Sequence, residues 1–152
     1  MAYLIDSNIF LRLVPADDPD RLSVLRALAR LRADNEDLFY TSQVLAEFWT
    51  VCTRPTSARG GYGLSSEKTE RKARLIERFC RLAPDSLATH VEWRRLLTTH
   101  SVMGVEVHDA RLVAAMIVHG IPNLLTFNLI DFRRFTEITV SSPEEKGGQS
   151  DG

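Results

Sequence analysis

Ala2-Tyr3-Leu4-Ile5-Asp6-Ser7-Asn8-Ile9-Phe10 is the stretch on which the fold turns. Four mostly apolar residues run up to an acid, which reads as a short buried strand. Asp6-Ser7-Asn8 then offers short polar side chains that cap free N–H groups, so a helix starts there. Ile9, Phe10, Leu13 and Val14 recur at helical spacing as far as Pro15.

The same alternation repeats along the rest of the chain. A helix is expected over residues 19–33, with Leu22, Leu25, Leu28, Ala29 and Leu31 inward. After the polar turn at 34–37, Leu38-Phe39-Tyr40 reads as a second strand. Thr41-Ser42 caps a helix in which Val44, Leu45, Phe48, Val51 and Cys52 recur at steps of three and four. Arg54-Pro55 ends it. Residues 55–66 hold Gly60-Gly61-Tyr62-Gly63 and read as a mobile loop rather than a domain linker. A further helix spans 67–80, with Ala73, Ile76, Phe79 and Cys80 on its apolar side, and Arg81-Leu82-Ala83 reads as a strand. Helices follow at 86–100, around Leu87, Val91, Trp93, Leu96 and Leu97, and at 108–119, around Leu112, Val113, Ala115 and Met116. Gly120 stops the second of these. Leu124-Leu125-Thr126 is a strand, 129–135 a short helix and 137–140 an edge strand. The polar, glycine-rich tail over 141–152 is expected to be disordered. Short apolar strands alternating with helices imply a parallel sheet covered on both faces. The expected fold is therefore a single three-layer α/β/α domain over residues 1–140. Such sheets bind ligands at the C-terminal ends of their strands.

Composition narrows the class. The chain has 152 residues, 44% hydrophobic and 26% charged, as in an ordinary globular domain. No stretch approaches the ~20 uninterrupted apolar residues of a membrane span. No basic segment leads into an apolar run and a small-residue cleavage site, so a cytoplasmic location is expected. Cys52 and Cys80 have no metal-ligand spacing and read as reduced core thiols. The net charge of −1 gives no basic footprint overall. Lys68, Lys72 and Lys146 are the lysines among nineteen basic residues, so the rest are arginine, whose planar fork suits phosphate.

Chemistry-bearing residues recur where strands give way to helices. Asp6 closes the first strand, Glu47 lies about a turn into the helix after the second, and Asp109 lies in the first turn after His108. Asn128 and Asp131 follow the strand ending at Thr126. In a parallel sheet these side chains meet at one edge. Glu47 also interrupts the apolar run Val44-Leu45-Ala46-Glu47-Phe48-Trp49. Clustered carboxylates repel one another unless a proton or cation neutralises them. Mg²⁺ and Mn²⁺ prefer such oxygen ligands and supply the Lewis acidity that hydrolysis at phosphorus needs. Each residue also has a plainer reading: Asp6 and Asn128 as helix caps, Asp109 as a partner of the helix dipole, Glu47 and Asp131 as solvated surface groups.

Three stretches resemble the PIN-domain family: Tyr3-Leu4-Ile5-Asp6-Ser7-Asn8-Ile9-Phe10, His108-Asp109-Ala110-Arg111-Leu112-Val113-Ala114-Ala115, and Gly120-Ile121-Pro122-Asn123-Leu124-Leu125-Thr126-Phe127-Asn128-Leu129-Ile130-Asp131-Phe132. Glu47 sits where that family places its second acid. The resemblance covers roughly residues 2–140, and it is greatest to the VapC toxins of prokaryotic toxin–antitoxin pairs. It implies an endoribonuclease dependent on Mg²⁺ or Mn²⁺, with RNA as substrate, a small antitoxin protein as partner and a homodimer as assembly. Asp6, Glu47 and Asp109 are the implied metal-binding acids. The fourth acidic position is either Asn128, which carries no charge, or Asp131. Ser7, Asn8, Thr126 and Asn128 match supporting polar positions. His108 is not expected to act as a general base, because metal chemistry makes one unnecessary. Arg54, Arg59, Lys68, Arg71, Lys72 and Arg74 around the glycine-rich loop either contact RNA phosphates or form a solvated face.

Two rival readings remain at this point. A phosphoryl-accepting receiver domain shares the sheet architecture, but it needs paired acids after the first strand and a lysine near the last. A non-catalytic interaction or dimerisation module would use the acids only as helix caps.

Overall fold

The computed structural model describes residues 1–148. In chain order the elements are β1 (Ala2–Ile5), α1 (Ser7–Leu11), α2 (Arg21–Ala33), β2 (Asp37–Tyr40), α3 (Ser42–Thr53), α4 (Ser66–Phe79), β3 (Arg81–Leu82), α5 (Leu87–Thr99), α6 (Glu106–His119), β4 (Asn123–Leu125), α7 (Leu129–Phe132), β5 (Thr139–Ser141) and α8 (Pro143–Gly147). The strands form one parallel sheet in the order β3-β2-β1-β4-β5, with Leu4 paired to Phe39 on one side and to Leu124 on the other. Helices flank it, as the alternation of elements requires.

The sheet centre is the driest part. Leu4, Ile5, Leu124 and Leu125 are fully buried, and each contributes roughly 1.5–3 kcal/mol of burial. The strand order changes direction at β1, which starts a chain of pairings to either side. The ends of β1 and β4 therefore lie side by side at the carboxyl edge, where open parallel sheets place their ligands. α6 is apolar on most of its circumference and buries Ala110, Leu112, Val113, Ala114, Ala115 and Met116. It stops at Gly120, whose φ of 66° is a left-handed cap that glycine adopts without strain.

Three expectations are corrected. Residues from Ser141 onward do not begin a disordered tail: β5 runs through Ser141, and α8 packs on α2. A capping box of Ser142 with Glu145, Pro143 at the start of the helix and burial of Pro143 fix that turn. Only residues 149–152 of the expected tail lie outside the described residues. In α2 the buried set is Val24, Ala27 and Leu31, whereas Leu22, Leu25 and Ala29 face outward. The glycine-rich loop is tied down. Tyr62, Gly63 and Leu64 donate backbone hydrogen bonds to Val51, Arg54 and Cys52, and the Tyr62 hydroxyl donates to the Leu11 carbonyl at 3.1 Å. A Cβ on Gly61 would lie 2.4 Å from the Arg54 carbonyl oxygen, so this close approach needs glycine.

Candidate functional site

Asp6 is the hub of the edge. It is 5% exposed. One carboxylate oxygen, Oδ1, accepts the Ser7 backbone N–H at 2.7 Å and so caps α1. The other, Oδ2, accepts the Thr126 hydroxyl at 2.8 Å and the Asn8 amide at 3.3 Å. Capping is thus only half of what this side chain does. Thr126, the first residue after β4, is saturated: its Oγ1 also accepts from Asn8 Nδ2 at 3.1 Å and from the Asn128 backbone N–H at 3.0 Å. Asn8 Oδ1 in turn accepts the Phe127 backbone N–H at 3.2 Å. Asn8 and Thr126 therefore stitch the end of β1 to the end of β4.

Glu47 projects from α3 and is held at both oxygens. Ser7 Oγ donates to Oε2 at 2.8 Å, and Gln43 Nε2 donates to Oε1 at 3.1 Å. Asp109, in the first turn of α6, is half-buried. Asp131, in the first turn of α7, is exposed and close enough to act on Asp109 by its charge. Asn128 precedes α7, but its side chain makes no capping hydrogen bond. The plain capping reading of Asn128 therefore fails.

The electrostatics carry the mark of burial first and of neighbouring acids second. Burial, above all, pushes Asp6 up to about 6; hydrogen bonds from Thr126 and Ser7 pull against this, and the Glu47 charge adds to the rise. Asp109 is also pushed up to about 6, first by burial and then by the charges of Asp131, Asp6, Glu47 and Glu106. The structure thus brings Asp6, Glu47, Asp109 and Asp131 into one electrostatic neighbourhood, with Ser7, Asn8 and Thr126 bonded among them.

Among the described residues, no three His, Cys, Asp or Glu side chains stand close enough to form a ready metal cage. The donor set nevertheless fits a hard cation. Every donor is an oxygen, and Mg²⁺ is commonly held by one or two carboxylates while it keeps several waters. Asp6 and Asp109, both raised by burial first and by like charge second, are the groups that a cation would relieve most.

Other residues fall elsewhere. His108 lines a separate cavity of about 350 Å³ with His90, Trp93 and Arg111, while its backbone carbonyl faces Gln43. Arg74 is paired with Glu70, Arg54 reaches the Arg59 carbonyl, and Lys72 lines a different, apolar groove. That groove, about 380 Å³, lies between α1, α2 and α4 and is walled by Phe10, Leu13, Leu25, Leu28, Leu75 and Phe79. Cys52 and Cys80 are buried free thiols, which burial holds at about 11 and about 12.

Sequence reasoning missed Gln43 and Glu106. Gln43 had a signal, since it lies one helical turn before Glu47 on the same face. Glu106 lies one turn before Asp109 and is paired with Arg134 at 2.6 Å.

Solved structures share this architecture. The chain resembles VapBC2 from Rickettsia felis, crystallised with a promoter DNA fragment, at 20% identity and a TM-score of 0.69, over 93% of this chain and 98% of that one. It resembles VapBC-1 from nontypeable Haemophilus influenzae at 17% identity and a TM-score of 0.67, over 94% and 98%. It also resembles VapC20 of Mycobacterium tuberculosis, a Sarcin-Ricin loop cleaving toxin, at 18% identity and a TM-score of 0.59, over 85% and 92%. At such identities the likeness establishes the fold. No curated protein matches the sequence. The PIN-domain family model matches residues 3–138, nearly the whole of the described chain, with Asp6, Glu47, Asp109 and Asp131 all inside the match; the chain belongs to the PIN-domain family.

Proposed function

We propose that the chain is an endoribonuclease dependent on Mg²⁺ or Mn²⁺, and that it acts as the toxin of a toxin–antitoxin pair. The observation that carries this is the carboxyl edge of β1 and β4, where Asp6 and Asp109 are both raised to about 6 among further acids. A fold gains nothing from such crowding, since each raised carboxylate destabilises the folded state at neutral pH. A bound cation converts the crowding into a binding site. Family membership and the fold shared with VapC20, a Sarcin-Ricin loop cleaving toxin, favour RNA as substrate.

Within this reading each side chain has a task. Asp6 and Asp109 would hold the cation directly: Asp6 follows β1 without a connecting residue, and Asp109 stands in the first turn of α6 with the Asp6 charge acting on it. Glu47, longer and held by Ser7 and Gln43, completes the negative field from the α3 side. Asn8 and Thr126 fix Asp6 in place. Asn128, uncharged and free of capping duty, is available to hydrogen-bond water or phosphate. Asp131 adds charge from the rim. The cation supplies Lewis acidity and neutralises charge that develops on the phosphorus oxygens. No protein base is required, in keeping with the placement of His108 in another cavity.

The toxin reading adds a partner. The apolar groove between α1, α2 and α4 suits an apolar helical or extended segment of a small antitoxin. The fold shared with solved VapBC structures favours an antitoxin partner. A homodimer is expected for the free protein and is checked by light scattering.

The deciding experiment is single-turnover cleavage of a labelled RNA with Mn²⁺. Cleavage that requires the metal and is lost in folded Asp6→Asn supports the proposal. A folded protein that cuts no RNA with Mg²⁺ or Mn²⁺ returns the site to the interaction-module reading.

A further inference from the structure

The geometry points to Gln43 as a positioning residue that holds Glu47 and the Asp109 turn at a fixed separation and so sets the affinity of the site for a divalent cation. This rests on the metal-dependent reading above.

Gln43 lies in the first turn of α3, one turn before Glu47 and on the same face. Its Nε2 donates twice: to Glu47 Oε1 at 3.1 Å and to the His108 backbone carbonyl at 2.9 Å. The residue after His108 is Asp109. One amide group therefore ties a carboxylate of α3 to the turn of α6 that carries a second carboxylate. Ser7 takes the other oxygen of Glu47 at 2.8 Å, so Glu47 is tethered from both sides.

The orientation of this amide is fixed by chemistry. Turning it over would set Oε1 against two acceptors, the Glu47 carboxylate and the His108 carbonyl. In the orientation found, Gln43 Oε1 is buried without a hydrogen-bond partner. An unpaired buried acceptor works against folding, so fold stability alone favours an apolar side chain of the same length here. Both bonds that Gln43 does make go to the acidic edge.

The need for a tether follows from the charges. Glu47 acts on Asp6 and on Asp109 with the same sign. A free glutamate has three rotatable bonds and swings toward solvent to relieve such repulsion. Gln43 and Ser7 hold it against that repulsion, which keeps the density of negative charge high where a cation binds. Gln43 also holds the turn that carries Asp109, and groups that orient a metal's ligands typically change its affinity by about 10–100-fold when removed.

The test compares wild type, Gln43→Met and Gln43→Ala. Mn²⁺ binding is measured from the electron paramagnetic resonance signal of free Mn²⁺, and Tm is measured in chelator. The expected result is a Mn²⁺ dissociation constant raised about tenfold or more in both variants. Tm in chelator should stay within about 2 °C of wild type for Gln43→Met. Excess Mn²⁺ should restore RNA cleavage in the variants, with KM for RNA unchanged. Wild-type Mn²⁺ affinity in either folded variant overturns the inference, and a lowered Tm with unchanged affinity does the same by reducing Gln43 to a structural bond. A wild type that binds no Mn²⁺ overturns the metal-dependent reading and this inference together.

Discussion

Two regions of this molecule are built on opposite principles. The edge formed by the ends of β1 and β4 is polar, rigid and electrostatically uncomfortable: Asp6 is buried, and it and Asp109 are raised to about 6. The groove between α1, α2 and α4 is mainly apolar, with Arg32 and Lys72 among its lining and no acid, and its walls include Leu25 at 44%, Leu75 at 50% and Phe79 at 56% exposure. One region stores charge that a small cation would relieve. The other leaves apolar area that a protein segment would cover. The contrast teaches that strain and exposure mark different kinds of ligand, and that a single cavity need not serve both.

The largest effect should come from breaking the first region. Asp6→Asn and Asp109→Asn should each slow single-turnover RNA cleavage by about 10³-fold or more, roughly 4 kcal/mol of transition-state stabilisation. Circular dichroism should show both variants folded. Full activity in folded Asp109→Asn would overturn the metal-site assignment.

The groove should break separately. Leu25→Glu and Leu75→Glu place charge on an exposed apolar wall, so Tm should hardly move. Affinity for the antitoxin, taken as the product of a neighbouring small reading frame, should fall on the order of 100-fold by titration calorimetry. RNA cleavage should stay within about twofold of wild type if the two regions are independent. A parallel loss of cleavage would merge them into one site.

The third effect sharpens the electrostatic half of the comparison. The folded value for Asp6 of about 6 lies above the ordinary 3.8. The folded state thus binds more protons between those values, and stability from this group falls as pH rises from about 4 to 6. Above that window the full penalty stands, about 2 kcal/mol after allowance for relaxation. In chelator, Asp6→Asn should therefore melt above wild type at pH 8, with the gap closing toward pH 4. Mn²⁺ should raise the wild-type Tm and raise that of Asp6→Asn less. A variant that melts below wild type at pH 8 in chelator would show that the Asp6 carboxylate stabilises the fold.

The smallest effects concern the periphery. Asp131→Asn removes an exposed rim charge and should cost less than loss of Asp6 or Asp109. His108→Ala should leave cleavage within about tenfold, since a site that uses a cation for the chemistry needs no protein base. A loss as large as that of Asp109→Asn would bring His108 into the chemistry.

The acidic edge was legible because Asp6, Asp109 and Asp131 lie at a strand end or in the first turn of a helix, and because Glu47 interrupts an apolar helical run. Gln43 was not legible as part of it, because its second partner is the His108 carbonyl, a backbone atom that no sequence pattern marks. The groove was hidden for another reason. α2 carries two apolar stripes, Val24-Ala27-Leu31 and Leu22-Leu25-Ala29, and periodicity reports both without saying which meets the sheet. The ordered end of the chain was masked by its composition, although Ser142 and Glu145 have the spacing of a capping box.

The alternation of strands and helices, the parallel sheet and the acids at its edge are written in local pattern, because hydrophobic period, capping and chain continuity leave local traces. Tertiary structure alone decided which stripe of α2 is buried, that residues 141–148 are folded, and how closely Asp6, Glu47 and Asp109 stand. Those outcomes depend on competition among surfaces for the same sheet and on repulsion among charges brought together from distant parts of the chain. Neither is a property of any one segment.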